Sequence, residues 1–142
     1  MSEPVVLRAG SGFRNEIHAG PHRLIADEPA GAGGTDGGPT PYDYLSAALG
    51  ACTSMTIRFL ALRDDIPLEG TEITVTNDRM HAKDCIDCMT ANGYIHRFTV
   101  KIKLLGDQLT AENRERLMQA AKRCPVYKTL TNEIRIDDVL EV

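Results

Sequence analysis

Residues 41–62 carry apolar side chains on nearly every side of a helical wheel, the densest hydrophobic pattern in the chain. Leu45, Ala48, Leu49, Cys52, Met55, Phe59 and Leu62 recur at helical spacing, and Ala47, Ala51, Ile57 and Leu60 fill much of the opposite side. A helix with no continuous polar face is expected to be buried. Thr40 suits the N-cap, Pro41 the first helical position, and Asp43 completes a capping-box-like start. Ser46, Ala47, Ala48, Gly50 and Ala51 are small enough for a neighbouring backbone or a second subunit to come close. Gly50 costs about 1 kcal/mol against Ala inside a helix, so it is read as a packing residue.

On either side of this helix the pattern changes to period two. Residues 4–8, 13–18 and 22–26 read as three strands of an antiparallel meander, punctuated by Ser11-Gly12 and Gly20-Pro21. Residues 28–39 form a glycine-rich connection. They lack the Gly-Lys-Ser/Thr ending of a phosphate loop and the GxGxxG of a dinucleotide site, so an ordered connection is expected. After the helix, residues 72–76 alternate as a strand. Residues 94–105 do so cleanly, with Phe98, Val100, Ile102 and Leu104 opposite Arg97, Thr99, Lys101 and Lys103. Thr110 caps a second helix whose Leu117, Ala121 and Cys124 share a stripe. Pro125 stops it and puts Cys124 at the cap of a short helix over residues 125–130. An alternating strand is expected at residues 133–136.

Composition narrows the class. A chain of 142 residues is read as a single domain over 1–142, long enough to hold a core without disulfides or metal. With 42% apolar and 25% charged residues it matches a soluble globular protein. Its net charge of −4 argues against nucleic acid or an anionic membrane as partner. The N-terminus, beginning Met1-Ser2, shows no leader pattern, and the apolar run is interrupted by Thr, Ser and Arg58 before it reaches a membrane span. A cytoplasmic protein is expected, in which four cysteines serve catalysis, metal binding or packing rather than structural disulfides.

Among those cysteines, Cys52 alone reads as a small buried hydrophobe. Cys124 differs, because a thiol at a helix N-terminus faces unpaired N–H groups that favour the thiolate. The two would make a redox pair if the fold joins them. His81, Cys85 and Cys88 have soft-ligand character and CxxC spacing, but they fall short of a four-ligand zinc set and have no helix period for a thioredoxin-like motif. A surface hairpin, a local disulfide and partial metal binding all stay open there. No G-x-S-x-G elbow supports a serine hydrolase.

The helix sequence Ala47-Ala48-Leu49-Gly50-Ala51-Cys52, together with Cys124-Pro125-Val126, resembles the OsmC/Ohr family of osmotically inducible and organic hydroperoxide resistance proteins. Ala26-Asp27-Glu28-Pro29 and Gly37-Gly38-Pro39 are similar to its OsmC-like branch. The resemblance implies an α+β fold with antiparallel curved sheets packed around long buried helices in an intertwined homodimer. It also implies a two-cysteine, cofactor-free peroxidase acting on organic hydroperoxides, with hydrogen peroxide a further substrate. Cys52 would be the peroxidatic cysteine and Cys124 the resolving one, with an external dithiol or lipoylated protein as reductant and neither metal nor flavin required. The family's glutamate would fall at Tyr42, which leaves Asp43 as substitute acid, and Arg14 is the candidate arginine, with Arg8 and Arg23 as competitors. A different class of function is a non-catalytic module on the same fold that binds an apolar ligand, or a metal at Cys85 and Cys88.

Overall fold

The computed structural model describes residues 3–142; Met1 and Ser2, part of the N-terminus judged to lack a leader, lie outside them. The chain divides into two compact units, Met1–Leu45 and Ser46–Val142.

In the first unit, β1 (Val5–Ala9), β2 (Asn15–Ala19) and β3 (His22–Ala26) form the expected antiparallel meander in the order β1-β2-β3. Gly20 takes the left-handed conformation that the tight turn between β2 and β3 needs (φ 58°). The glycine-rich connection is ordered, as expected, and what orders it is Asp27. Its carboxylate accepts the Glu28 N–H at 2.8 Å, the Gly37 N–H at 3.0 Å, the Thr35 N–H at 3.2 Å and the Thr35 hydroxyl at 2.7 Å. These bonds, the Thr35 hydroxyl foremost, outweigh burial and hold the Asp27 pKa down at about 2. Tyr44 donates its hydroxyl to the Ile25 carbonyl.

Helix α1 (Pro41–Arg63) begins at the predicted cap. In the second unit its buried positions are Leu49, Thr53, Ile57, Leu60 and Ala61, whereas Met55, Phe59 and Leu62 are 70%, 66% and 72% exposed. The expectation of an evenly buried helix is therefore corrected: one face packs within this chain and another stays open. By length and composition α1 could also cross a membrane, its most apolar window averaging a hydropathy of 1.5, so the sequence judgement that no run comes close does not hold. Here its buried face is part of the core. Ile57, Leu60 and Ala61 pack with Ile66, Leu68, Leu104, Leu117 and Ala120.

Antiparallel β4 (Gly70–His81) and β5 (Tyr94–Leu105) pair along their full length, from Gly70 opposite Leu105 to His81 opposite Tyr94. β4 runs five residues beyond the predicted 72–76 strand at its C-terminal end because polar cross-strand pairs take over where apolar alternation stops. Arg97 grips Asp78 through two hydrogen bonds, and the His81 ring lies 4.3 Å from that of Tyr94. α1 lies against β4 at Gly50, where a Cβ would sit 3.2 Å from Val75 Cγ2, and Ser54 and Thr71 share a 2.8 Å hydroxyl bond beside it. The packing role read for Gly50 is what the structure shows.

α2 (Ala111–Ala121) starts with a capping box between Thr110 and Asn113 and buries Leu117 and Ala120. α3 (Pro125–Leu130) follows, with Cys124 as its N-cap. The strand expected at residues 133–136 is absent. Ile134 and Ile136 are exposed, and no strand of this chain pairs with the segment among the described residues. Alternation supplies strand propensity, but a strand forms only beside a partner that takes its backbone hydrogen bonds.

Candidate active site

Two elements of the second unit deliver the two free cysteines to one place. Cys52 stands midway along α1. Cys124 stands where α2 has ended and Pro125 fixes the backbone for α3, so its side chain points back over the α3 N-terminus and Sγ accepts the Tyr127 N–H at 3.4 Å. Cys52 and Cys124 stand close enough that each shifts the ionisation of the other, and the Val126 N–H favours the thiolate form of both. The fold thus meets the condition on which the redox-pair expectation rested, that the two cysteines come together.

Their environments differ. Cys124 is fully buried, while Cys52 is part-exposed on the wall of a cavity of about 640 Å³. That wall is mostly apolar, with Ala48, Met55, Phe59 and Pro125, and carries two cations, Arg63 and Arg123. Burial, first, and then the hydrogen bond and charge of Cys124 push the Cys52 thiol up. For Cys124 burial also opposes ionisation. The Cys52 thiol, the Tyr127 and Val126 N–H groups and the Thr53 hydroxyl together overcome it and hold Cys124 below the ordinary thiol range. The surroundings thus favour ionisation of Cys124 and oppose that of Cys52.

The other residues singled out from the sequence have local partners of their own. Asp43 accepts the Thr40 N–H at 3.0 Å and donates its own N–H to the Thr40 hydroxyl at 3.2 Å, a complete capping box. Arg14 lies one residue before β2 rather than within it. Its guanidinium packs beside Gly37, where a Cβ would be 3.1 Å from Nη1 and 3.2 Å from Asp27 Oδ2. Arg8 and Arg23 are exposed on β1 and β3. Cys85 and Cys88 are joined as a disulfide, which leaves neither thiolate for a metal. No cluster of three or more His, Cys, Asp or Glu suited to a metal occurs among the described residues.

Arg63, Arg123 and Thr53 were not singled out from the sequence. The signal was there for two of them, since Arg123 adjoins Cys124-Pro125 and Arg63 lies three turns from Cys52 on the same side of α1.

Residues 34–137 match the family model described as OsmC-like protein. Sequence comparison with curated proteins found no match. Solved structures that share the fold include the following three. An OsmC-like protein from Mycoplasma pneumoniae is 18% identical with a TM-score of 0.70, covering 92% of this chain and 87% of its own. The organic hydroperoxide resistance protein OsmC from Legionella pneumophila is 21% identical with a TM-score of 0.63, covering 91% and 90%. The organic hydroperoxide resistance protein OhrB of Bacillus subtilis is 21% identical with a TM-score of 0.63, covering 92% and 91%. With the family model spanning most of its length, this mixed α+β chain belongs to the OsmC-like protein family.

Proposed function

We propose that this protein is a thiol-dependent peroxidase that reduces organic hydroperoxides, and hydrogen peroxide as a smaller substrate, through Cys52 and Cys124. The observation that carries the reading is a part-exposed Cys52 in an apolar cavity with the thiol of buried Cys124 within reach. The names of the Legionella and Bacillus proteins point the same way.

The chemistry follows from where the proton sits. As a hydroperoxide enters the cavity, the Cys124 thiolate takes the Cys52 proton and the Cys52 sulfur attacks the distal peroxide oxygen. The O–O bond breaks, the alkoxide receives the proton from Cys124 and leaves as an alcohol, and Cys52 becomes a sulfenic acid. The regenerated Cys124 thiolate then attacks the Cys52 sulfur and expels hydroxide, closing a disulfide that an external dithiol or lipoylated protein reduces. Apolar walls suit the organic part of the substrate. Arg123, which lines the cavity next to Cys124, is better supported than Arg14 as the cation facing the leaving oxygen, while Arg63 commits its guanidinium to the Asp64 carboxylate. Asp43 is supported as a helix cap, its carboxylate accepting the Thr40 N–H.

The same reading makes the protein a cytoplasmic homodimer. The open row Met55, Phe59 and Leu62 on α1, and the unpaired alternating segment with Ile134 and Ile136, support burial against a second copy. The function is tested by incubating the protein with dithiothreitol and cumene hydroperoxide. Consumption of peroxide that disappears in Cys52→Ser is expected, and a Cys52→Ser protein as active as the parent overturns the reading.

A further inference from the structure

The other two cysteines occupy a place that the peroxidase reading does not use. Cys85 and Cys88 form a disulfide at the tip of the β4–β5 hairpin, just after a 3-10 turn over Ala82–Asp84. Two observations separate it from a structural staple. It closes a loop with a sequence separation of only three, so it removes little conformational freedom from the unfolded chain. The hairpin beneath is already held by full pairing up to His81 opposite Tyr94, and the Ala82 N–H bonds the Gly93 carbonyl at 2.8 Å across its neck. Neither end of the hairpin needs the sulfur bridge.

Access is the third observation. Cys85 and Cys88 are part-exposed, and Ile86 between them is 98% exposed and Met89 beside them fully exposed, so the bridge lies in an open stretch of the hairpin tip. The Cys52 and Cys124 pair offers the opposite, with Cys124 fully buried and Cys52 in a cavity wall. Small peroxides and small thiols reach such a wall. A thiol carried on another protein has a freer approach to the hairpin tip.

We propose that Cys85–Cys88 is a second redox-active site, a thiol–disulfide exchange centre whose partner is a dithiol carried on a protein. A thiolate of that dithiol attacks one sulfur of the bridge, the S–S bond breaks, and the other cysteine leaves as a thiolate that takes a proton. The second thiol of the partner then attacks the mixed disulfide and releases the first cysteine. Two electrons and two protons pass to Cys85 and Cys88, and the partner is left as a disulfide. The step needs no peroxide and does not depend on the peroxidase reading.

The test uses full-length Cys52→Ser/Cys124→Ser protein, in which the hairpin pair is the sole thiol chemistry, with thioredoxin, its reductase and NADPH as the probe. About one equivalent of NADPH per chain is consumed, and mass spectrometry finds alkylation at both Cys85 and Cys88 at a rate at least about tenfold above that with equimolar glutathione. The same mapping on wild-type protein guards against a variant that fails to fold. A bridge in folded wild-type protein that thioredoxin leaves intact, or that opens only as circular dichroism reports unfolding, overturns the proposal. So does a Cys85→Ala/Cys88→Ala protein that unfolds at room temperature, since that is the behaviour of a staple.

Discussion

Replacing Cys124 by serine separates the two jobs assigned to this residue. Serine is a better N-cap than most residues and nearly isosteric, so α3 keeps its first-turn bond to the Tyr127 N–H and stability changes by no more than about 1 kcal/mol. The chemistry changes far more. In the parent, Cys124 stands close enough to Cys52 to shift its ionisation, and well-oriented intramolecular attack has effective molarities of about 10⁵ M or more. Even if only about a hundredth of that advantage is realised, about 10³ M, losing it to an external thiol at about 1 mM slows closure of the Cys52 sulfenic acid by a factor of about 10⁶. The sulfenic acid therefore accumulates. Its formation also shifts in pH. The parent ionises below the ordinary thiol range because Cys124 carries the charge, whereas the variant depends on Cys52 alone, which burial holds above that range. Quenched-flow mass spectrometry with dimedone across pH 5–10 reads both effects. Cys52 should be labelled almost completely in the variant and hardly at all in the parent, with the variant's inflection at higher pH. Equal dimedone labelling in the two proteins, or an inflection that moves down, refutes the reasoning.

Three other outcomes follow from the same structure. Leu117→Ala removes a fully buried side chain between α2 and α1 and should cost about 3 kcal/mol in urea unfolding; a loss below about 1 kcal/mol would mean that the two helices are not packed as described. Asp27 has a folded pKa near 2 against an ordinary 3.8, so its contribution to stability is complete above the unfolded value and disappears as pH falls through the folded one; acid unfolding of Asp27→Asn should lack that component between about pH 4 and 2. Phe59→Glu places a charge on the open face of α1 and should convert a dimer to monomer in sedimentation velocity, whereas an unchanged sedimentation coefficient argues against that face as the contact.

Much of the architecture could be read from local chemistry. Thr40, Pro41 and Asp43 announced the start of α1, Pro125 located Cys124 at a cap, and the strict alternation of residues 94–105 gave β5 its exact bounds. The sequence could not say which side of α1 faces inward. With apolar residues all round, the 3.6-residue period carries no direction, and the packed side includes Thr53 rather than Cys52. The polar half of β4 was missed because its pairing rests on Asp78 with Arg97 and His81 with Tyr94, contacts between residues far apart in sequence. Residues 133–136 failed for the converse reason, a strand pattern with no strand beside it among the described residues. At the site, Cys124 was legible from its cap position, whereas Cys52 alone read as a small buried hydrophobe and became a candidate through the family resemblance of its helix. Arg63 and Arg123 carried a positional signal, three turns along α1 from Cys52 and next to Cys124, but only the cavity they line singles them out from the other arginines.

The central claim is that Cys52 and Cys124 act as one redox unit, and the most direct measurement is disulfide mapping after fully reduced protein meets cumene hydroperoxide at less than one equivalent per chain. The account predicts a Cys52–Cys124 bond in proportion to the peroxide added. Peroxide that disappears while Cys52 and Cys124 both remain free thiols, or a Cys52 oxidised without ever joining Cys124, would contradict it.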